Sequence, residues 1–166
     1  PGTGFLTDVC REWEAATEPA SRAGIRVANL RFGMILSPRG GALRKLLVPF
    51  RLGMGGRIGD GSQFTSWIAL DDVVGAIHHA LCEESVRGPV NATAPGPVSN
   101  AEFTRTLARV LRRPALLPVP ACAARLAFGE MADALLLAGA RVLPARLHAS
   151  GYRFRFPDLE SALRHL

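Results

Sequence analysis

The tract from Leu30 to Asp72, LRFGMILSPRGGALRKLLVPFRLGMGGRIGDGSQFTSWIALDD, constrains the fold more than any other part of the chain. An apolar strand leads through a glycine-rich loop into a Trp-Ile-x-x-Asp-Asp helix start. The strand extends back to Ile25 as IRVANLRFGMIL, apolar or β-branched on both alternating sets. A strand without a polar face fits a parallel sheet whose crossover helices cover both sides, rather than a solvated edge. Ahead of it, residues 4–18 place Phe5, Leu6, Val9, Cys10, Trp13 and Ala16 on one face. This predicts an amphipathic helix limited by Pro19. A helix feeding a buried strand is half of a βαβ unit, so the class is α/β, with the unit's first strand expected upstream of Pro1.

Downstream, Leu43, Leu46, Leu47 and Phe50 predict a helix that Pro49 limits or kinks. GMGGRIGDGSQFTSWI reads as a glycine-rich loop and a short extended pair, with Gly59-Asp60-Gly61 as the turn. Asp71 and Asp72 mark a helix N-terminus, where they would cap and favour the helix dipole; Val73, Val74, Ile77, Ala80 and Leu81 form that helix's core face. Val90 to Thr93 is a strand candidate, and Ser99 to Glu102 has the spacing of a capping box ahead of Phe103, Leu107, Val110 and Leu111. Three prolines between Arg113 and Pro120 suggest a connector, with a boundary near Pro118. The remainder comprises an apolar helix from Ala121 to about Ala140, a short strand alternating Tyr152, Phe154 and Phe156 with arginines, and a last helix capped by Asp158 that turns Leu159, Ala162 and Leu163 inward.

At 166 residues and 48% hydrophobic, the chain can bury the core of one domain with a small appendage. Its charge of +6 comes from 19 Arg and one Lys, scattered rather than clustered, which reads as the coding bias of a GC-rich genome and not as a nucleic-acid face. Cys10, Cys82 and Cys122 are far apart and odd in number, which disfavours disulfides and zinc, fits a reducing cytoplasm and suggests buried small side chains. No apolar run reaches the roughly 18–20 residues of a membrane span, and no secretory signal pattern opens the sequence.

Several chemical motifs fail on spacing. Gly53, Gly56 and Gly59 match G-x-x-G-x-x-G, yet they lead into an extended aromatic stretch and not into the helix whose amides would meet a pyrophosphate. Tyr152 is the only tyrosine and has Phe156 four residues on, so the Tyr-x-x-x-Lys pair of a short-chain dehydrogenase is not formed; packing with a partnered hydroxyl is expected. His78, His79, His148 and His165 make no H-E-x-x-H motif, and His78 with Cys82 gives two ligands at most, so no metal is expected. No catalytic group is assigned.

Taken in order, FLTDVCREWEAA, RVANLRFGMILSPRGGALRKLLVPFRLGMGG, GDGSQFTSWIALDDVVGAI, GPVNATAPGPVSNAEFTRTLARVLRRP and GYRFRFPDLESAL resemble an atypical, epimerase-like family of extended short-chain dehydrogenase/reductases. The resemblance implies the C-terminal part of a Rossmann-like parallel sheet over residues 1–118, and a small α-rich domain of unknown function over 119–166. It implies NADP or NAD as cofactor of the full-length family, a small-molecule substrate, and a nucleotide-binding turn outside this chain. By resemblance, Arg31, Phe32 and Gly33 would approach the nicotinamide, and Gln63, Ser66 and Trp67 would face the substrate. Thr65 and Ser66 stand where sugar-nucleotide epimerases commonly have arginine and aspartate, and Ala69 stands where the related pattern often has histidine. The expected role is the substrate-side portion of an NAD(P)-dependent oxidoreductase or nucleoside-diphosphate-sugar epimerase-like protein, inactive alone. The alternative is a non-enzymatic association module. An uncovered sheet edge would pair with the missing N-terminal half or with a second copy.

Overall fold

The computed structural model describes residues 4–115, 118–120 and 139–166. The first helices are α1 (Phe5–Ala15) and α2 (Glu18–Arg22), followed by strands β1 (Ala28–Phe32) and β2 (Met34–Leu36). Helix α3 (Gly41–Arg51) precedes β3 (Phe64–Thr65), β4 (Trp67–Ala69) and α4 (Leu70–Cys82). Then come β5 (Gly88–Ala92), β6 (Val98–Ser99), α5 (Asn100–Leu111), α6 (Ala145–Ala149) and α7 (Leu159–His165).

The chain is mixed α/β with parallel strand pairs. β1 runs parallel to β5 from Ala28 opposite Gly88 to Phe32 opposite Ala92, and β2 runs parallel to β4. Consecutive residues of β4 separate two cores, as a pleat of period two requires. Trp67 joins Leu36, Leu43, Leu47, Phe50, Phe103, Leu107, Leu159 and Leu163, whereas Ile68 joins Val73, Ala76, Ala80, Val86, Val90 and Leu147. The tail thus contributes to both cores, α6 to one and α7 to the other.

Several expectations change. The amphipathic helix stops at Ala15, ahead of Pro19 as expected, but Pro19 itself sits in the first turn of a second helix, α2, where a missing N–H costs nothing. The strand from Ile25 to Leu36 is not buried on both faces: Arg31 and Phe32 are exposed, and full burial comes only at Leu36. One reason is that Asn29 and Arg31 meet the α1–α2 region through polar side chains, while Ala28 and Leu30 pack on the second core. The extended pair around Gly59-Asp60-Gly61 is no hairpin. Ile58 bridges Val119, and β3 pairs antiparallel with β6, so both partners are distant in sequence.

On α4 the core face is Asp72, Val73, Ala76 and Ala80; Val74, Ile77 and Leu81 are exposed. Residues 152–156 form no strand: the N–H groups of Arg155 and Phe156 turn to the Asp72 carboxylate and that of Tyr152 to the Leu147 carbonyl, instead of to a ladder. Cys10 and Cys82 are exposed and not buried, being on outer faces of α1 and α4. Cys122 and the apolar stretch from Ala121 to 138 lie outside the described residues. Two caps stand where expected: the Ser99 hydroxyl accepts from the Glu102 N–H at 3.2 Å, and the Asp158 carboxylate accepts from the Ser161 N–H at 2.9 Å.

Candidate functional site at the carboxyl ends of the parallel strands

The parallel pairs meet at Gly33. Its N–H donates to the Ala92 carbonyl at 3.2 Å, and the next N–H, of Met34, donates to the Ser66 carbonyl at 2.8 Å. The Ala94 N–H donates to the Trp67 carbonyl at 2.6 Å. One chain therefore passes from the β5 partnership to the β4 partnership within a single residue. A Cβ on Gly33 would lie 2.6 Å from the Ser66 oxygen and 3.0 Å from Cγ2 of Thr93. Glycine is required here by the close approach of backbone, without any unusual φ.

Of the residues expected near a cofactor, Gly33 is this crossing point and Phe32 lies beside it with 42% of its surface exposed. Arg31 points to α1, where its guanidinium donates through Nε and Nη2 to both carboxylate oxygens of Glu14, at 2.5 and 2.6 Å. That bidentate contact holds the Glu14 carboxyl below its ordinary range and raises the Arg31 guanidinium.

Of the residues expected near a substrate, Trp67 is wholly buried, and its indole N–H donates to the Gly96 carbonyl at 2.8 Å. Gln63 donates through Nε2 to the Ile58 carbonyl at 3.0 Å, and its own carbonyl accepts from the Asn100 N–H at 2.8 Å. Ser66 ties down a distant segment: its hydroxyl donates to the Ala140 carbonyl at 2.6 Å and accepts from the Val142 N–H at 2.9 Å. The Thr93 hydroxyl donates to the Val142 carbonyl at 3.3 Å. Residues 139–143 thus cross the carboxyl ends of the strands as a strap. Resemblance pointed to Ser66, but no local sequence signal pointed to a partner 74 residues away.

A second polar cluster joins residues that no local spacing pairs. The buried Asp72 carboxylate accepts the Arg155 N–H at 2.7 Å, the Phe156 N–H at 2.9 Å and the Tyr152 hydroxyl at 3.1 Å. Helix α4 starts after Ala69, so Asp72 lies in its first turn and its side chain caps no end of that helix. It fastens the tail to the helix. A Cβ on Gly75 would collide with the Tyr152 oxygen, which explains a glycine inside α4. Burial first, and then the Asp72 carboxylate, raise the Tyr152 hydroxyl well above its ordinary value. Tyr152 is therefore a hydrogen-bond donor in a packed setting, in line with the expected packing role.

Among the described residues no group of three His, Cys, Asp or Glu side chains could hold a metal ion, and no helix is long and apolar enough to cross a membrane. His78 Nε2 lies 3.7 Å from the Cys82 sulfur, and His79 meets the Ser150 hydroxyl at 2.9 Å.

Comparison with known proteins places these features in context. A family profile described as a domain of unknown function (DUF1731) matches residues 119–166. Epimerase family protein MT2273 of Mycobacterium tuberculosis is 46% identical over 98% of this chain and 54% of its own length. The human epimerase family protein SDR39U1 is 40% identical over 98% of this chain and 55% of its own length. The chain thus spans about half the length of the curated relatives it matches. A crystal structure of human SDR39U1 (isoform 2) with NADPH superimposes with a TM-score of 0.82 at 41% identity, over 85% of this chain and 48% of that one. A nucleoside-diphosphate sugar epimerase from Corynebacterium glutamicum gives 0.79 at 40% identity, over 99% of this chain and 31% of that one.

Proposed function

We propose that this chain, which belongs to the epimerase family and corresponds to a C-terminal part of its members, forms the substrate-side portion of an NAD(P)-dependent oxidoreductase or nucleoside-diphosphate-sugar epimerase-like protein. The observation that carries this reading is the meeting of both parallel pairs at Gly33, Ser66 and Thr93. Ligands of open α/β sheets bind beyond the carboxyl ends of the strands. The human relative solved with NADPH supports a nicotinamide cofactor.

The residues present fit the edge of such a site and not its phosphate-binding turn. Gly33 leaves room for the Ser66 carbonyl, Arg31 is engaged by Glu14, and Phe32 keeps an exposed ring. A nicotinamide, when bound, supplies hydride transfer. Phe32 would line its wall, held in register by Gly33 and by the Arg31–Glu14 pair. Ser66 and Gln63 would shape the substrate side, with Trp67 bracing them from the core. The nucleotide-binding turn comes from polypeptide outside these 166 residues, and the isolated chain is inactive. That polypeptide covers the apolar face of α1 and the edge of β1 that no described strand pairs.

Calorimetric titration with NADPH tests this reading, using the chain alone and the chain fused behind the part of human SDR39U1 that it does not cover. The expected result is saturable binding by the fusion only. Binding by the chain alone, or none by a folded fusion, would overturn it. The exposed apolar face of α1 also suits a non-enzymatic association module; stable self-association of the chain, unchanged in the fusion and without NADPH binding, would favour that reading.

A further inference from the structure

We propose that the outer face of α3, with the turn that ends α5, is a peripheral docking surface for an anionic lipid bilayer, independently of the substrate-side reading above. Arginines scattered along the sequence are gathered there by the fold. Between Ser37 and Gly59 stand Arg39, Arg44, Lys45, Arg51 and Arg57, without one Asp or Glu. Helix α3 turns Leu43, Leu47 and Phe50 into the first core. The helical period puts Lys45, Val48 and the closing residue Leu52 opposite them, with Arg44 and Arg51 on the flank. All five are exposed, Val48 by 61% and Leu52 by 66%. Met54 follows, 54% exposed, and between them a Cβ on Gly53 would lie 3.6 Å from Cγ of Pro114. That contact sets the exposed Arg112 and Arg113, at the end of α5, next to this corner.

Two of these cations stand where local structure disfavours them. Arg44 is in the first turn of α3, at the positive end of the helix dipole, and no acidic residue of that turn offsets it. Arg112 closes α5 at φ 53°, ψ 43°, the left-handed conformation that favours glycine. Among the described residues it is the one non-glycine with positive φ. Two broken local rules on one face point to a use for these side chains outside helix stability. Unpaired arginines occur elsewhere, as at Arg105 and Arg153; what distinguishes this face is the apolar set Val48, Leu52 and Met54 among its cations, none of which is in an ion pair with a described carboxylate.

Charge and shape select the occupant. Helix α1 exposes an apolar face too, but Asp8, Glu12 and Glu14 accompany it against Arg11 alone, so an anionic surface repels it. A second copy of the α3 face would set cations against cations. The face is the convex side of a helix and presents no aromatic ring on which a base could stack, the feature that single-stranded nucleic acid uses. Against a bilayer, Val48, Leu52 and Met54 enter the headgroup region, while the long stems of Lys45 and the arginines carry their charges to lipid phosphates. Each such cation adds to binding at an anionic membrane surface.

Flotation with vesicles of phosphatidylcholine, pure or with one-third phosphatidylglycerol, tests this on the chain and on its fusion with the remainder of human SDR39U1. Both forms should bind the anionic vesicles only, and less as salt is raised. Arg44→Gln with Lys45→Gln should weaken binding at least about tenfold. Val48→Ser with Leu52→Ser should weaken it several-fold although the charge is kept. Arg87→Gln with Arg153→Gln, exposed on the side of the second core, should change it less than about twofold. Arg112→Gly should weaken binding yet raise the urea midpoint, an opposition that a merely structural residue would not give. No binding to anionic vesicles, equal losses in the two charge pairs, or binding by the chain but not by the folded fusion would overturn the assignment. So would tighter binding to a short DNA duplex that Val48→Ser with Leu52→Ser leaves unchanged.

Discussion

Helices α1 and α5 are near twins in length and in the strength of their amphipathic pattern, yet one packs into a core and the other has no fully buried residue. On α5, Phe103 and Leu107 are buried between α3 and α7. On α1, Phe5 is 79% and Trp13 73% exposed, and the described hydrogen bonds that tie this region to the sheet are Glu14 with Arg31 and Thr17 with Asn29, the last just beyond the helix end. Periodicity reports that a helix has an apolar face; it does not report what covers that face. Under the proposed function, α5 is covered by this chain and α1 by the rest of the protein.

The largest expected effect separates the two helices directly. Leu107→Ala should cost about 2–4 kcal/mol, whereas Trp13→Ala in the isolated chain should change stability by less than about 0.5 kcal/mol; urea unfolding of both variants measures the difference. A large loss in Trp13→Ala would mean that α1 has a covered face in this chain after all. The acidic residues of first turns should divide in the same way. Asp72→Ala strands two backbone N–H groups and a tyrosine hydroxyl, at about 2 kcal/mol or more, while Asp8→Ala, which removes an exposed ion pair with Arg11, should fall within about 0.5 kcal/mol of wild type. At the start of α5, Ser99→Ala should cost about 1 kcal/mol through the lost cap, measured the same way; α1 begins at Gly4 with no side-chain cap to lose.

The smallest effect is with pH. The folded Glu14 carboxyl titrates below its unfolded value, so its pair with Arg31 contributes above the unfolded value of about 4.3. That contribution is lost as pH falls through the lower, folded value. Backbone chemical shifts of residues 5–15 should therefore move toward coil in acid before those of the buried face of α5. Simultaneous loss of both would show that Glu14 does not tether α1 separately.

What could be read from the sequence follows the range of the interaction. The Ser99 and Asp158 caps depend on residues three apart, and both are present as expected. The inward Leu159, Ala162 and Leu163 are likewise a local pattern, and they are buried. The supposed hairpin at Gly59-Asp60-Gly61 failed because the turn is local but strand partners are not: β3 found β6, and Ile58 found Val119. Val74, Ile77 and Leu81 were expected inside because apolar residues fill more than one face of α4; only tertiary packing selects the face. Asp72 looked like a helix-start residue, and its real partners lie more than 80 residues away. At the candidate site, Gly33 and Ser66 were legible as members of a resembling tract, but the strap that Ser66 holds has no local signature.

Hydrogen exchange across the chain, alone and in the fusion with the remainder of human SDR39U1, tests most directly whether the rest of the protein covers α1. Amides of α1 and of β1 should become strongly protected in the fusion, while those of α5, already packed, change little. Equal protection of α1 in both forms, or a fusion that binds NADPH while α1 exchanges as freely as before, would contradict that coverage.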